Sequence, residues 1–192
     1  MAHTYWQADP AHSEVQFKVK HLMITTVTGY FRTFDVVVET EDDDFTKASL
    51  IRFTASTESI DTHNEQRDTH LRSDDFFSAA KYPQVKFEGK TFEKAGDNYR
   101  LSGDLTIRNI TKPVTVDVEY AGTVVDPYGQ TKAGFTIDGA IKRKDFELTW
   151  NAVTEAGQVV VSNEIKLHGE IQLIKQQQQT STENKEAKEA VM

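Results

Sequence analysis

Residues 14–21 read Glu14-Val15-Gln16-Phe17-Lys18-Val19-Lys20-His21, and the reading of this stretch decides the fold class. Val15, Phe17 and Val19 alternate with Gln16, Lys18 and Lys20, so an extended strand gathers the apolar side chains on one face. His21 continues the same parity and is expected to point inward. An imidazole placed there needs a hydrogen-bond partner or water.

Outward from this stretch the alternation returns along most of the chain. It recurs at Ile51, Phe53 and Ala55, at Val85 and Phe87, at Leu101, Leu105 and Ile107, and at Val114, Val116 and Val118. Phe135, Ile137 and Ile141 carry it further, as do Ile165, Leu167, Ile171 and Leu173. Glycine takes the apolar parity at Gly89, Gly103, Gly139 and Gly169, which points to barrel corners, or to close approach of a ligand.

Turn sequences divide these segments: Glu41-Asp42-Asp43-Asp44, Ala95-Gly96-Asp97-Asn98, Asn109 to Pro113, Asp126-Pro127-Tyr128-Gly129 and Glu155-Ala156-Gly157. Counting between turns gives about eight to nine strands of roughly eight to twelve residues, long for a sandwich and suited to a barrel. The expected fold is all-β, an elongated antiparallel barrel of about eight strands. Only Thr62 to Ser73 lacks alternation, and a short helix is predicted there, beside or across one barrel end. One domain is expected over residues 1–175, followed by a polar tail, 176–192, that is expected to be disordered because it has no apolar face to bury.

Composition narrows the function classes. The 192 residues contain no cysteine, which excludes disulfides, thiolate metal sites and a cysteine nucleophile. A net charge of -8 argues against nucleic acid as a partner, since neutralising phosphates needs a basic face. Lys142-Arg143-Lys144 is short and reads as solvated surface. The opening residues lack the basic start and apolar stretch of a secretory signal, which points to the cytoplasm. No apolar run approaches the roughly 20 residues of a spanning helix.

Catalytic and metal motifs are scarce. None of the six histidines forms a His-x-His or His-x-x-x-His pair. His63 and His70, on one face of a helix, would stand about 10 Å apart, too far to share an ion, and no metal or cofactor is expected. There is no nucleophile elbow and no phosphate loop. Asp42 to Asp44 lacks the spacing of a calcium loop and reads as a solvated hairpin turn. Arg67, Asp68, Arg72 and Asp75 could pair with one another around the helix, while arginine also suits a diphosphate.

One family joins these scattered residues. Trp6-x-x-Asp9-x-x-His12-Ser13-x-Val15-x-Phe17-x-Val19-x-His21, followed by Val27-x-Gly29-x-Phe31, resembles the start of the YceI family. Ile60-Asp61-Thr62, Arg67-Asp68-x-His70-Leu71-Arg72-Ser73-x-Asp75-Phe76-Phe77, Tyr82-Pro83, Gly103-x-Leu105-Thr106-Ile107-Arg108, Arg143-x-Asp145-Phe146 and Trp150-Asn151 continue the likeness in order over residues 4–174. The resemblance implies a lipocalin-like barrel that binds, without transforming, a polyisoprenoid such as a long prenyl diphosphate or the tail of an isoprenoid quinone. Many members are exported to the periplasm, and this sequence departs from them in showing no signal.

On this basis Phe17, Val19, His21, Phe53, Phe87, Leu105, Phe135, Ile137 and Leu167 are expected to line the lumen. Phe31, Phe76, Phe77 and Trp150 are expected to guard an end, with Arg67 and Arg72 as head-group contacts. A homodimer is carried as an expectation alongside the lipid partner. Two competing readings are a hydrolase or isomerase using His21 with Asp75 or Arg72 at the barrel mouth, and a solid barrel that makes protein contacts.

Overall fold

The computed structural model describes residues 2–177. The expectation of disorder for residues 178–192 lies outside the described residues. Eleven strands form one antiparallel sheet: β1 (His3–Ala8), β2 (Glu14–His21), β3 (Thr25–Phe31), β4 (Phe34–Glu41), β5 (Asp44–Ser56), β6 (Ile60–Asp61), β7 (Gln84–Ala95), β8 (Asn98–Ile107), β9 (Ile110–Val125), β10 (Thr131–Lys142) and β11 (Val161–Lys175). The helix α1 (Glu65–Arg72) lies between β6 and β7.

The sheet closes into an eight-stranded barrel. Its neighbours run β1-β4-β5-β7-β8-β9-β10-β11, and β11 pairs back onto β1. β1 and β2 act as one interrupted strand, because Trp6 to Ala8 pair with Leu173 to Lys175 while Glu14 to His21 pair with residues lower on β11. The break is a 3-10 turn, Pro10–His12, where Asp9 accepts the Ala11 amide and proline occupies a position that needs no donor. β3 and β4 form a second interrupted strand opposite, and β6 pairs with β3.

The helix is shorter than the predicted Thr62 to Ser73. Asn64 caps it by accepting the Arg67 amide, which leaves His63 outside with a left-handed φ of 61°. The geometry assumed for His63 and His70 on one helix therefore does not arise.

The inward glycines serve different purposes: Gly89 lies at a register shift and meets Ile51, Gly139 meets Val116, Gly169 opens onto the cavity, and Gly29 and Gly103 receive rings from the neighbouring strand. A Cβ on Gly29 would stand 2.1 Å from the Phe17 ring, and one on Gly103 would stand 2.2 Å from the Glu88 carbonyl and 2.7 Å from the Phe87 ring. Aromatic rings thus lie directly on the bare backbone of the neighbouring strand, which lets large side chains fit inside a narrow barrel.

One end of the barrel is closed. Trp6, Phe45, Phe135 and Tyr120 stack there, with ring centroids 4.9 Å apart for Trp6 and Phe45, 4.9 Å for Phe45 and Phe135, and 5.1 Å for Tyr120 and Phe135. Buried Trp6 donates its indole N–H to Thr40 Oγ1 at 3.2 Å. Beside this plug Lys132 Nζ lies 3.2 Å from Asp126 and 3.5 Å from Asp9.

Burial tends to raise the Asp9 carboxyl, but the His12 hydrogen bond, the Ala11 amide and Lys132 outweigh it and hold it below 3.8. The Gln130 amide does the same for Asp126 against the opposing effect of burial, with help from Lys132. The Asp126 bond raises Lys132 above 10.5. Groups with depressed pKa stabilise above their unfolded value and lose that contribution as pH falls through the folded one; a raised lysine stabilises below its unfolded value and loses it as pH rises through the folded one. The network should therefore stabilise the barrel between about pH 4 and pH 10. Melting curves of the wild type and Asp126→Asn should diverge inside that window and converge below it. A constant difference down to pH 2 would remove the ion network from the explanation.

Candidate functional site

The parity that makes the strands also makes a cavity of about 460 Å³, within the range of roughly 300–1,000 Å³ typical of small-molecule pockets. Its wall comes from inward residues all round the barrel, including Val15, Phe17 and Val19 of β2, Ile51 and Phe53 of β5, and Leu167, Gly169 and Ile171 of β11. Two clusters of buried residues bracket it, one around the plug and one around Phe17, Phe31, Leu105 and Phe146 at the opposite end. The interior is neither solid nor polar, so the solid-barrel reading does not describe this molecule.

The end away from the plug is the mouth. There α1 contributes Arg67, His70 and Leu71 to the cavity wall, followed by Phe76 and Phe77, and facing Trp150 and His21. His70 packs edge-on against Trp150 at 4.6 Å and Phe76 at 5.1 Å, and Phe77 meets Phe31 at 5.9 Å. Asp75 holds the His70 ring in place from outside, at 2.8 Å. Arg67 is steadied by Thr62, donating from Nε to the hydroxyl at 2.8 Å and from Nη2 to the carbonyl at 2.7 Å. Polar wall residues such as Thr62, Arg67 and His70 gather at this end, while the deeper wall is mostly apolar, with Gln16 and His168 midway along it.

A buried cation supports the rim. Arg143 is 2% exposed and reaches four main-chain carbonyls: Ser162 from Nε at 2.9 Å, Leu148 and Trp150 from Nη1 at 2.5 and 2.8 Å, and Val161 from Nη2 at 3.2 Å. Burial pushes its pKa below the usual arginine value. Asn151 joins the same stretch by donating to the Val161 carbonyl and accepting the Val161 amide. Together they pin the segment after β10, with Trp150 on it, to the start of β11. The Lys142-Arg143-Lys144 run is therefore only partly surface: the two lysines are exposed and Arg143 is in the wall.

The structure places Phe17, Val19, His21, Phe31, Phe53, Phe76, Phe77, Phe87, Leu105, Phe135, Ile137, Trp150 and Leu167 on the cavity wall. Phe135 belongs to the plug rather than the middle of the lumen. His21 sits exposed at the mouth. Arg67 lines the cavity, but Arg72 does not: it turns away to the carbonyls of Glu58 and Ile60 at 3.0 and 3.2 Å.

The expected ion-paired cluster around the helix does not form either. Asp68 accepts the Thr62 amide and hydroxyl, Asp75 bonds His70, and Arg72 lies 3.9 Å from Glu58. With Asp75 and Arg72 engaged elsewhere, the arrangement required for catalysis with His21 is not assembled. Sequence reading missed His70, Arg143, Phe45 and Trp6. His70 had a signal, since it precedes Leu71 and lies three positions after Arg67 on the helix face that meets the barrel.

Comparison with known proteins matches this architecture. The family model for the YceI-like domain matches residues 6–173. Protein YceI of Escherichia coli O17:K52:H18 is 41% identical over 137 residues, 71% of each chain, and Protein YceI of Salmonella newport is 39% identical over 138 residues, 72% of each. A crystal structure of the Campylobacter jejuni YCEI protein has a TM-score of 0.69 at 32% identity, covering 82% of this chain and 90% of that one. A polyisoprenoid binding domain from Saccharophagus degradans shares the fold at a TM-score of 0.61 and 14% identity, covering 88% of this chain and 97% of that one.

Proposed function

The chain belongs to the YceI-like domain family, and from that premise we propose that it is a non-enzymatic carrier or sequestering protein for a long polyisoprenoid, a prenyl diphosphate or an isoprenoid quinone. The observation that carries this reading is the shape of the cavity: mostly apolar along its length, stoppered by aromatic rings at one end, and richest in polar groups at the other. Such a space accepts a hydrocarbon chain tail-first and leaves the head group at the mouth beside Arg67, His70 and His21. The description of the Saccharophagus degradans domain as polyisoprenoid-binding supports the same ligand class.

Energetics agree. Burial contributes about 0.8 kcal/mol per CH₂-sized group, and micromolar affinity needs about 8 kcal/mol beyond the cost of association. A few isoprene units reach that. No cofactor enters this account, and the His70–Asp75 pair at the mouth is read as fixing the His70 ring against Trp150 and Phe76; we assign binding rather than turnover.

Gly169 offers a test, because it lines the lumen midway, paired with Val15 and Ile137, and a Cβ there meets nothing closer than 3.7 Å. Gly169→Leu should leave the affinity for a two-unit prenyl diphosphate nearly unchanged and weaken a four-unit chain at least about tenfold, measured by calorimetric titration. An equal effect on both lengths would place the chain outside the lumen.

A further inference from the structure

The mouth carries an apolar rim that faces water. The β2–β3 hairpin turns at Leu22 and Met23, both with left-handed φ, 51° and 58°, and presents Met23 and Ile24 at 59% and 77% exposure. The Leu22 amide donates to the Val160 carbonyl at 2.8 Å, which seats the hairpin against the segment carrying Val153 and Val159, 65% and 43% exposed and bridged to each other. Four exposed apolar side chains therefore sit together, continuous with cavity-lining His21, Val160 and Val161.

Charge is distributed unevenly about this rim. Exposed Lys18, Lys20, Lys142 and Lys144 lie on the strand ends and turn beside it, with Asp145, Glu147 and Glu155 among them. The acidic run Glu41 to Asp44, together with Asp97, Asp117, Glu119 and Asp126, belongs to the plugged end or the strands leading to it. The acidic run thus lies opposite the hairpin, while the α1 side of the mouth carries its own exposed carboxylates, Glu65, Asp74 and Asp75, next to Arg67. A second exposed apolar group, Val124, Val125 and Tyr128, tops the plugged end, where no path leads into the lumen. The outward positions of β7, Lys86, Glu88 and Lys90, are exposed and charged, unlike the apolar band of a barrel that spans a bilayer.

We infer that the Met23–Ile24 hairpin, with Val153 and Val159, docks the mouth onto an anionic lipid bilayer, from which the isoprenoid passes into the lumen without crossing water. This rests on the proposed function above. Apolar side chains at a rim insert into the headgroup boundary, flanking lysines gain from anionic lipid, and the acidic run at the plugged end is kept away from the surface. A hydrocarbon chain moving directly from bilayer to lumen never exposes its apolar surface.

The test uses the full chain with vesicles of phosphatidylcholine, with and without phosphatidylglycerol, and two double variants. Met23→Asp/Ile24→Asp keeps a residue type that tolerates left-handed backbone at position 23, and Val124→Asp/Val125→Asp is the control at the plugged end. The wild type and control should cosediment with the anionic vesicles, and the hairpin variant should partition at least about tenfold less. All three should bind farnesyl diphosphate in solution equally.

Absence of vesicle binding by the wild type, or equal binding by all three proteins, overturns the docking surface even when farnesyl diphosphate binds. A wild type that ignores vesicles but dimerises through the hairpin also overturns it and assigns the rim to a second copy. Failure of all three to bind farnesyl diphosphate defeats the proposed function, whatever the vesicles do.

Discussion

Replacing Arg143 by methionine should destabilise the barrel by about 3–5 kcal/mol, although the substitution swaps a cation for an apolar side chain of similar length. The guanidinium donates to Ser162, Leu148, Trp150 and Val161, and methionine donates to none of them. A buried carbonyl left without a donor costs about 1–3 kcal/mol, and the segment relieves part of this by loosening into water. For a chain of this size the loss corresponds to a fall in melting temperature of roughly 10 °C.

Arg143→Lys should recover little, because a single ammonium cannot span four carbonyls that a planar fork reaches in fixed geometry. Lys142→Met and Lys144→Met, on exposed neighbours, should stay within about 0.5 kcal/mol of the wild type. Because the same bonds hold Trp150 against His70 and Phe76, Arg143→Met should also raise solvent quenching of one of the two tryptophans. A variant melting with the wild type would show that the rim does not depend on Arg143.

The barrel was legible in the sequence because its closure repeats one rule, period-two alternation, eight times over. Most strand side chains that touch the lumen, from Phe17 on β2 to Leu167 on β11, sit at positions given by parity, although the register shift after Gly89 moves Phe92 to the other parity. Arg143 continues the parity of Ile137, Gly139 and Ile141, yet its charge and its lysine neighbours read as surface. Only the fold supplies the four carbonyls that make its burial tolerable. The plug was hidden differently: Lys47 and Ser49 interrupt the alternation after Phe45, because the β4–β5 register shifts there.

The helix was the least legible part. Its residues are nearly all polar, and whether Arg67, Arg72 or Asp75 reaches the cavity is decided by a cap at Asn64 that sets where the first turn begins. Two of those three point elsewhere. The inward glycines were visible as a pattern, but what packs on them, the Phe17 ring on Gly29, the Phe87 ring on Gly103 and Val116 on Gly139, comes from cross-strand register, which no single segment encodes.

The central claim is that this lumen measures hydrocarbon, and a chain-length series measures it most directly. Five carbons of an isoprene unit could contribute at most about 4 kcal/mol on burial, and ordering the chain removes part of that. A net gain of about 1.4 kcal/mol per unit remains a conservative expectation, a factor of ten in affinity. Titration of the delipidated protein with geranyl, farnesyl and geranylgeranyl diphosphate, followed by calorimetry and by the fluorescence of Trp6 and Trp150, should show affinity rising about tenfold or more with each unit until the cavity is filled, then levelling. The same affinity for all three chains, or for inorganic diphosphate alone, would contradict the account.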